Sequence, residues 1–191
     1  MRNFGKILVT VLCLLSSVPA FGAGGFMTFE YEYENNKNQP HDSINAFSIA
    51  PGYKFDNGFK VDLKFEGEQD SLTKDMETKL EARVRYDQKL FGPVKGTLRL
   101  GIGEKFTQQK NCPYYTIEPG LVWTVVDNTF DLNVSMRHRD AFDRNNNYNT
   151  NTWKFGAAYK ISKQHEVGVK YFEKFVDDRT CGFELVYTYS F

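Results

Sequence analysis

From residue 26 onward the chain alternates apolar and polar side chains with a period of two, in about ten separate stretches. Period two is the signature of a strand, because successive side chains leave opposite faces. The 59–68 stretch is the cleanest: Phe59, Val61, Leu63 and Phe65 alternate with Lys60, Asp62, Lys64 and Glu66. Near position 80, Leu80, Ala82, Val84 and Tyr86 alternate with Lys79, Glu81, Arg83, Arg85 and Asp87. The spacing predicts strands over 26–34, 44–55, 59–68, 76–88, 94–105, 114–126, 129–139, 151–161, 165–175 and 181–191. Each is close to the ~9–11 residues that a tilted strand needs to cross a bilayer.

The connections alternate too. Asp56–Asn57–Gly58, Phe91–Gly92–Pro93, Asp127–Asn128 and Ser162–Lys163–Gln164 read as tight turns. The connections between them, over 35–43, 69–75, 106–112, 140–149 and 176–180, are longer and more polar. Short turns on one rim and long loops on the other are the pattern of an outer-membrane barrel with its short side in the periplasm. An even strand count then places both termini on that side.

Both ends of the sequence fit this reading. Residues 1–22 look like a cleaved secretory signal, with Arg2 and Lys6 before an apolar core over 7–15 and small residues at Ala20 and Gly22. Cys13 lies inside that core and is expected to leave with it. The last stretch puts Phe183, Leu185, Tyr187, Tyr189 and Phe191 on one face. Tyr189 and Phe191 match the terminal signal read by the barrel assembly machinery. The expected organisation is a signal peptide over 1–22 and a barrel over 23–191. The expected fold is all-β: a transmembrane, antiparallel, up-and-down β-barrel of about ten strands, monomeric and bathed in outer-membrane lipid. A mean hydropathy of −0.51 agrees with this, since only every second barrel residue meets lipid. The alternative is a soluble barrel that gathers the apolar face around a ligand.

Charge narrows the function. Cleavage removes Arg2 and Lys6 from a balance of 24 basic and 24 acidic residues, leaving −2 and no basic excess for nucleic acid. If the apolar face meets lipid, the charged face lines the lumen. Glu30, Glu32, Glu34, Asp62, Glu66 and Glu184 gather on the first, third and tenth strands. Arg83, Arg85, Lys95, Arg99, Arg137, Arg139, Lys154 and Lys170 lie on the fourth, fifth and seventh to ninth, with Glu118 on the sixth. An acidic sector facing a basic one makes a transverse field that orients charged solutes. A second reading stays open: ten strands enclose little space, and opposite charges that pair would fill it. A closed barrel whose loops serve adhesion or envelope integrity follows from that.

A third reading is a rim hydrolase, using His41, His138, Asp140 and Asp143 near the long-loop mouth, but no catalytic spacing is spelled out. His138, Glu104 and Glu173 sit on lipid-facing positions near that mouth, where charge costs little. Nothing resembles a metal cluster or phosphate loop, and no cofactor is expected. Cys112 and Cys181 both open strands on the long-loop side. A disulfide between them is possible in an oxidising compartment if their Cα atoms come within ~7 Å.

Within 119–161 the chain also carries Pro119-Gly-Leu-Val-Trp123, Met136-Arg-His-Arg-Asp140, Asn145-Asn-Asn147, Trp153 and Tyr159-Lys-Ile161. These stretches resemble the oligogalacturonate-specific porin family, which includes a sialic-acid channel. The resemblance implies a narrow monomeric barrel that passes acidic oligosaccharides along lumen arginines. The family's Arg-aromatic-Arg strand falls on Arg137-His138-Arg139, with His138 in place of the aromatic. The chain is shorter than that family's norm, with about ten strands rather than twelve. The resulting expectation is a channel for small anionic solutes.

Overall fold

The computed structural model describes residues 24–36, 43–107, 110–143, 148–175 and 180–191. The expected signal over 1–22, Cys13, His41 and Asn145 to Asn147 lie outside the described residues. Ten strands follow in chain order: β1 (Gly25–Asn36), β2 (Ser43–Lys54), β3 (Phe59–Asp70), β4 (Met76–Phe91), β5 (Val94–Phe106), β6 (Cys112–Val126), β7 (Phe130–Ala141), β8 (Thr150–Lys160), β9 (His165–Phe175) and β10 (Thr180–Ser190). Each pairs antiparallel with its sequence neighbours, and β1 pairs with β10 from Phe26↔Ser190 to Asn36↔Thr180, so the sheet closes. Closure leaves no edge strand with unpaired backbone groups. Among the described residues no helix is long and apolar enough to cross a membrane; the crossing elements are the strands.

The alternation seen in the sequence becomes an inside and an outside. On β10, Phe183 and Leu185 are exposed while Glu184, between them, is 2% exposed. On β3, Val61 and Leu63 are exposed and Lys64 is buried. Leu98, Leu100, Ile102, Ile117 and Leu121 continue the apolar belt around β5 and β6. Charge inside and hydrocarbon outside is the inverse of a soluble core and suits a wall that faces lipid. The fold is therefore a transmembrane up-and-down barrel rather than a soluble one with a greasy centre.

The turns keep the rims distinct. Asn128 and Gly58 take positive φ values of 56° and 89° in the tight connections. β4 runs three residues beyond the sequence expectation, because Phe91 pairs with Val94 across an irregularity next to the turn. On the opposite rim, Asp70 Oδ1 accepts from the backbone N–H groups of Leu72 (2.7 Å) and Thr73 (2.9 Å).

The closing seam has one tight point. A Cβ on Gly182 of β10 would lie 2.0 Å from the Tyr33 carbonyl oxygen and 2.6 Å from the Phe172 ring. Neither the strand backbone nor the fully buried Phe172 has room to withdraw. Gly182→Ala is expected to cost about 1–3 kcal/mol through overpacking. Urea unfolding in lipid vesicles reads this as a lower midpoint, and an unchanged midpoint would mean that the seam yields.

Candidate functional site: the charged lumen

Most lumen charges are engaged with one another. Glu30 on β1 accepts from Ser48 Oγ at 3.0 Å and lies 2.6 Å from Lys64 Nζ. Lys64 continues to Glu66 at 2.7 Å, and Glu66 to Lys79 at 3.0 Å. Lys79 also pairs with Glu68, so one chain of alternating charge runs from β1 to β4. Beside this chain, across the β1–β10 seam, Glu184 binds Lys154 at 2.5 Å and also holds Lys170. Lys174 bridges Glu32 at 3.1 Å and Glu34. Arg83 Nε meets Asp62 at 2.5 Å, and Arg99 lies 3.4 Å from Glu118, which also accepts from Ser135 Oγ at 2.9 Å. Buried charges require such partners, since removal from water costs several kcal/mol per ion. Nearer the short-turn rim, Arg85 and Lys60 share Asp87, at 2.5 and 3.1 Å.

Two arginines stand apart. Arg137 is 8% exposed, and among the described residues it has neither an ion pair nor a hydrogen bond. Its register partner Thr152 is fully buried with an unpartnered hydroxyl. Arg139 is likewise buried, with no carboxylate at ion-pairing distance among the described residues. Its guanidinium instead donates to Tyr148 Oη at 2.9 Å and lies 5.1 Å from the Tyr114 ring centroid and 5.3 Å from that of Tyr148. Among the described residues the Nε atoms of both arginines lack partners.

These positions modify the sequence expectation. Glu30, Glu32, Asp62, Glu66, Glu118 and Glu184 face inward with Arg83, Arg85, Arg99, Lys154 and Lys170, but as contacts rather than as opposed sectors with a gap between them. Lys64 sits in the acidic sector, and Glu81, which accepts from Thr116 Oγ at 2.5 Å, sits in the basic one. The transverse field is therefore largely neutralised by direct pairing. Between Lys64, Glu66, Lys79, Glu81 and Tyr114 the side chains leave no space wide enough to seat a water molecule.

The disulfide between Cys112 and Cys181 is not formed; both are free thiols. The reason is parity. Cys112 shares the inward parity of Tyr114 and Thr116, whereas Cys181 shares the outward parity of Phe183 and Leu185. The hydrolase candidates do not converge either: His138 Nδ1 lies 2.9 Å from Asn151 Oδ1, Asp140 accepts from the Ala141 N–H, and Asp143 pairs with Lys110. Among the described residues no group of three or more His, Cys, Asp or Glu side chains is placed to hold a metal. Tyr189 packs beside His165 and Phe191 in an aromatic cluster at the short-turn rim.

Tyr114 and Phe172 went unread as lumen groups in the sequence, while Lys64, Lys79 and Lys174 were read on the polar face but not singled out as pore-lining. Lys64, Lys79 and Lys174 hold key carboxylates, and Tyr114 and Phe172 fill space. Their signal was present, because each shares parity with an inward charge on its own strand. Tyr114 fits because its neighbour across β5 is a glycine: a Cβ on Gly103 would lie 2.7 Å from the tyrosine ring.

No protein-family model matches the chain, and no curated protein matches it. Solved structures do. An outer-membrane channel from Pseudomonas putida F1 aligns over 92% of this chain and 98% of its own, with a TM-score of 0.59 at 8% identity. The beta domain of the Bordetella autotransporter Brka aligns over 89% of this chain and 100% of its own, with a TM-score of 0.51 at 10% identity. The KdgM porin aligns over 86% and 99%, with a TM-score of 0.48 at 14% identity. At such identities, the likeness to the first two shows a shared outer-membrane barrel fold.

Proposed function

We propose that the chain forms a narrow channel for small anionic solutes in the outer membrane of a Gram-negative bacterium. In this reading residues 1–22 are removed as a signal, the barrel works as a monomer, and its short-turn rim faces the periplasm. One observation supports the proposal: Arg137 and Arg139 are buried in the lumen with no carboxylate at ion-pairing distance among the described residues, where most other lumen charges are paired. A buried cation without a direct ionic partner is costly to the fold, and a carboxylate passing it recovers part of that cost. The guanidinium fork suits a carboxylate through two parallel hydrogen bonds, which favours acidic sugars. Arg83, Arg85, Arg99, Lys154 and Lys170 keep the rest of the wall in charge balance.

Planar-bilayer recording tests this. The folded protein is expected to give small discrete steps that prefer chloride to potassium. Replacing Arg137 and Arg139 together by Ala should lower the anion preference roughly tenfold, the equivalent of about 1.4 kcal/mol. The continuous pairing from Glu30 to Glu68 favours a second reading, a barrel closed by its own side chains. A correctly folded sample that passes no current would establish that reading instead.

A further inference from the structure

Closure removes every edge strand from the wall, but the short-turn rim is not flush. The last pair between β3 and β4 is Phe59↔Tyr86, followed by one bond from the Asp87 N–H to the Gly58 carbonyl at 3.1 Å. Beyond it β4 runs on to Phe91 and pairs with β5 alone. Gln88, Lys89, Leu90 and Phe91 are all exposed, Phe91 at 70% more than any other large apolar side chain among the described residues. Main-chain groups alternate sides along a strand, so Lys89 points its N–H and C=O the way Asp87 does, away from β5. The overhang of β4 therefore carries a short open edge.

That edge lies among cations. Lys89 stands opposite Lys95 on β5, and Lys60 stands opposite both Lys54 on β2 and Arg85 on β4. Lys54, Lys89 and Lys95 are exposed, with no carboxylate at ion-pairing distance among the described residues. Of the acids at this rim, Asp87 is shared by Lys60 and Arg85, and Asp131 is held by Lys160 at 3.0 Å. With Asp56 exposed in the β2–β3 turn, the sector keeps a positive excess. Like charges set opposite one another in register repel. Lysine on an open edge also deters a second edge of the same kind. An acidic strand relieves the repulsion instead. Lys89 and Lys95 share the inner face, while Leu90 lies on the outer one against Gly96.

We propose that the β4 overhang is a docking edge for an extended acidic segment of another polypeptide, which adds as a strand beside Lys89. Its main chain takes the free N–H and C=O of Lys89. Acidic side chains on one face meet Lys89, Lys95, Lys60 and Lys54, and the alternate apolar side chains lie toward Leu90 and Phe91. With the short-turn rim in the periplasm, as proposed above, the partner is periplasmic. The site does not depend on solute passing the lumen, so its test and the conductance test fail independently.

The test uses the full barrel in lipid nanodiscs and a short fluorescent peptide alternating Glu and Val, read by anisotropy. The peptide should bind, and a counterpart alternating Lys and Val should not. Added salt should weaken binding, because exposed charge pairs are screened. Lys89→Glu combined with Lys95→Glu should weaken it by about tenfold or more, the scale of 1.4 kcal/mol. Lys89→Ala and Lys89→Pro lose the same charge, but only proline also removes the N–H, which the β4–β5 ladder does not use. Lys89→Pro should bind about fivefold more weakly than Lys89→Ala, the loss of one hydrogen bond. A Glu–Val peptide N-methylated on alternate residues gives the same comparison with the barrel unaltered. The inference is overturned if the Glu–Val peptide does not bind, or if charge reversal leaves its binding unchanged. It is also overturned if neither proline nor N-methylation has an effect of its own, which would reduce the rim to a trap for any polyanion.

Discussion

Glu184→Ala lowers the stability of the barrel by about 3–5 kcal/mol, the expected cost of stripping the partner from a buried ion pair. Glu184 is 2% exposed and is shared by Lys154 and Lys170. Lys154 is itself buried, and the two ammonium groups are brought together by the carboxylate between them. Its removal leaves two like charges facing each other, Lys154 buried and Lys170 only partly exposed. Urea unfolding in lipid vesicles should show the loss as a lower midpoint with an unchanged slope. Glu184→Gln keeps two acceptor sites without the charge and should lose less. Combining Glu184→Leu with Lys154→Met replaces charge by packing and should recover part of the stability. A wild-type midpoint for Glu184→Ala would mean that the lysines reach water and that the lumen is wetter than its geometry indicates.

Val169→Arg, one residue from an inward lysine, is expected to cost about 2–4 kcal/mol for a different reason. Val169 is 46% exposed at the middle of β9, flanked in register by Leu185 and Ala157. Its side chain points away from the lumen, so a guanidinium there enters hydrocarbon at mid-depth with no acid in reach. Folding into preformed vesicles, followed by the gel shift of the heat-resistant form, should fall in yield. In detergent micelles, which bend to cover a charge, the same variant should lose much less. Equal behaviour in bilayer and micelle would contradict the assignment of that face to lipid.

The fold was readable because parity is a binary signal repeated along ten strands. A single misread residue in Phe59 to Glu66 does not change which face is apolar, and the tight turns at Asn57–Gly58 and Asp127–Asn128 fix where the count restarts. The site was harder to read, because which charges meet depends on stagger around the barrel. Glu184 meets Lys170 on the adjacent strand, as parity permits, but also Lys154 two strands away. Nothing in the alternation distinguishes Arg83, paired with Asp62, from Arg137, paired with none of the described residues. The disulfide possibility fails for a reason the alternation does carry: Cys112 and Cys181 share a rim but not a face. Tyr148 was beyond reach, since a residue just outside a strand carries no parity.

The pairing of β1 with β10 also bears on how quickly the molecule takes shape. Every other pairing joins neighbours in sequence and can zip from its own connection, whereas this one joins residues as far apart as Phe26 and Ser190. Closing so long a loop costs entropy that no local hairpin incurs, and distant contacts slow the rate of folding. The rate-limiting event is therefore expected to be the meeting of these two ribbons. Until they meet, the nascent wall is an open, curling sheet with two sticky margins, and that interval is when it is most exposed to association with another copy of itself.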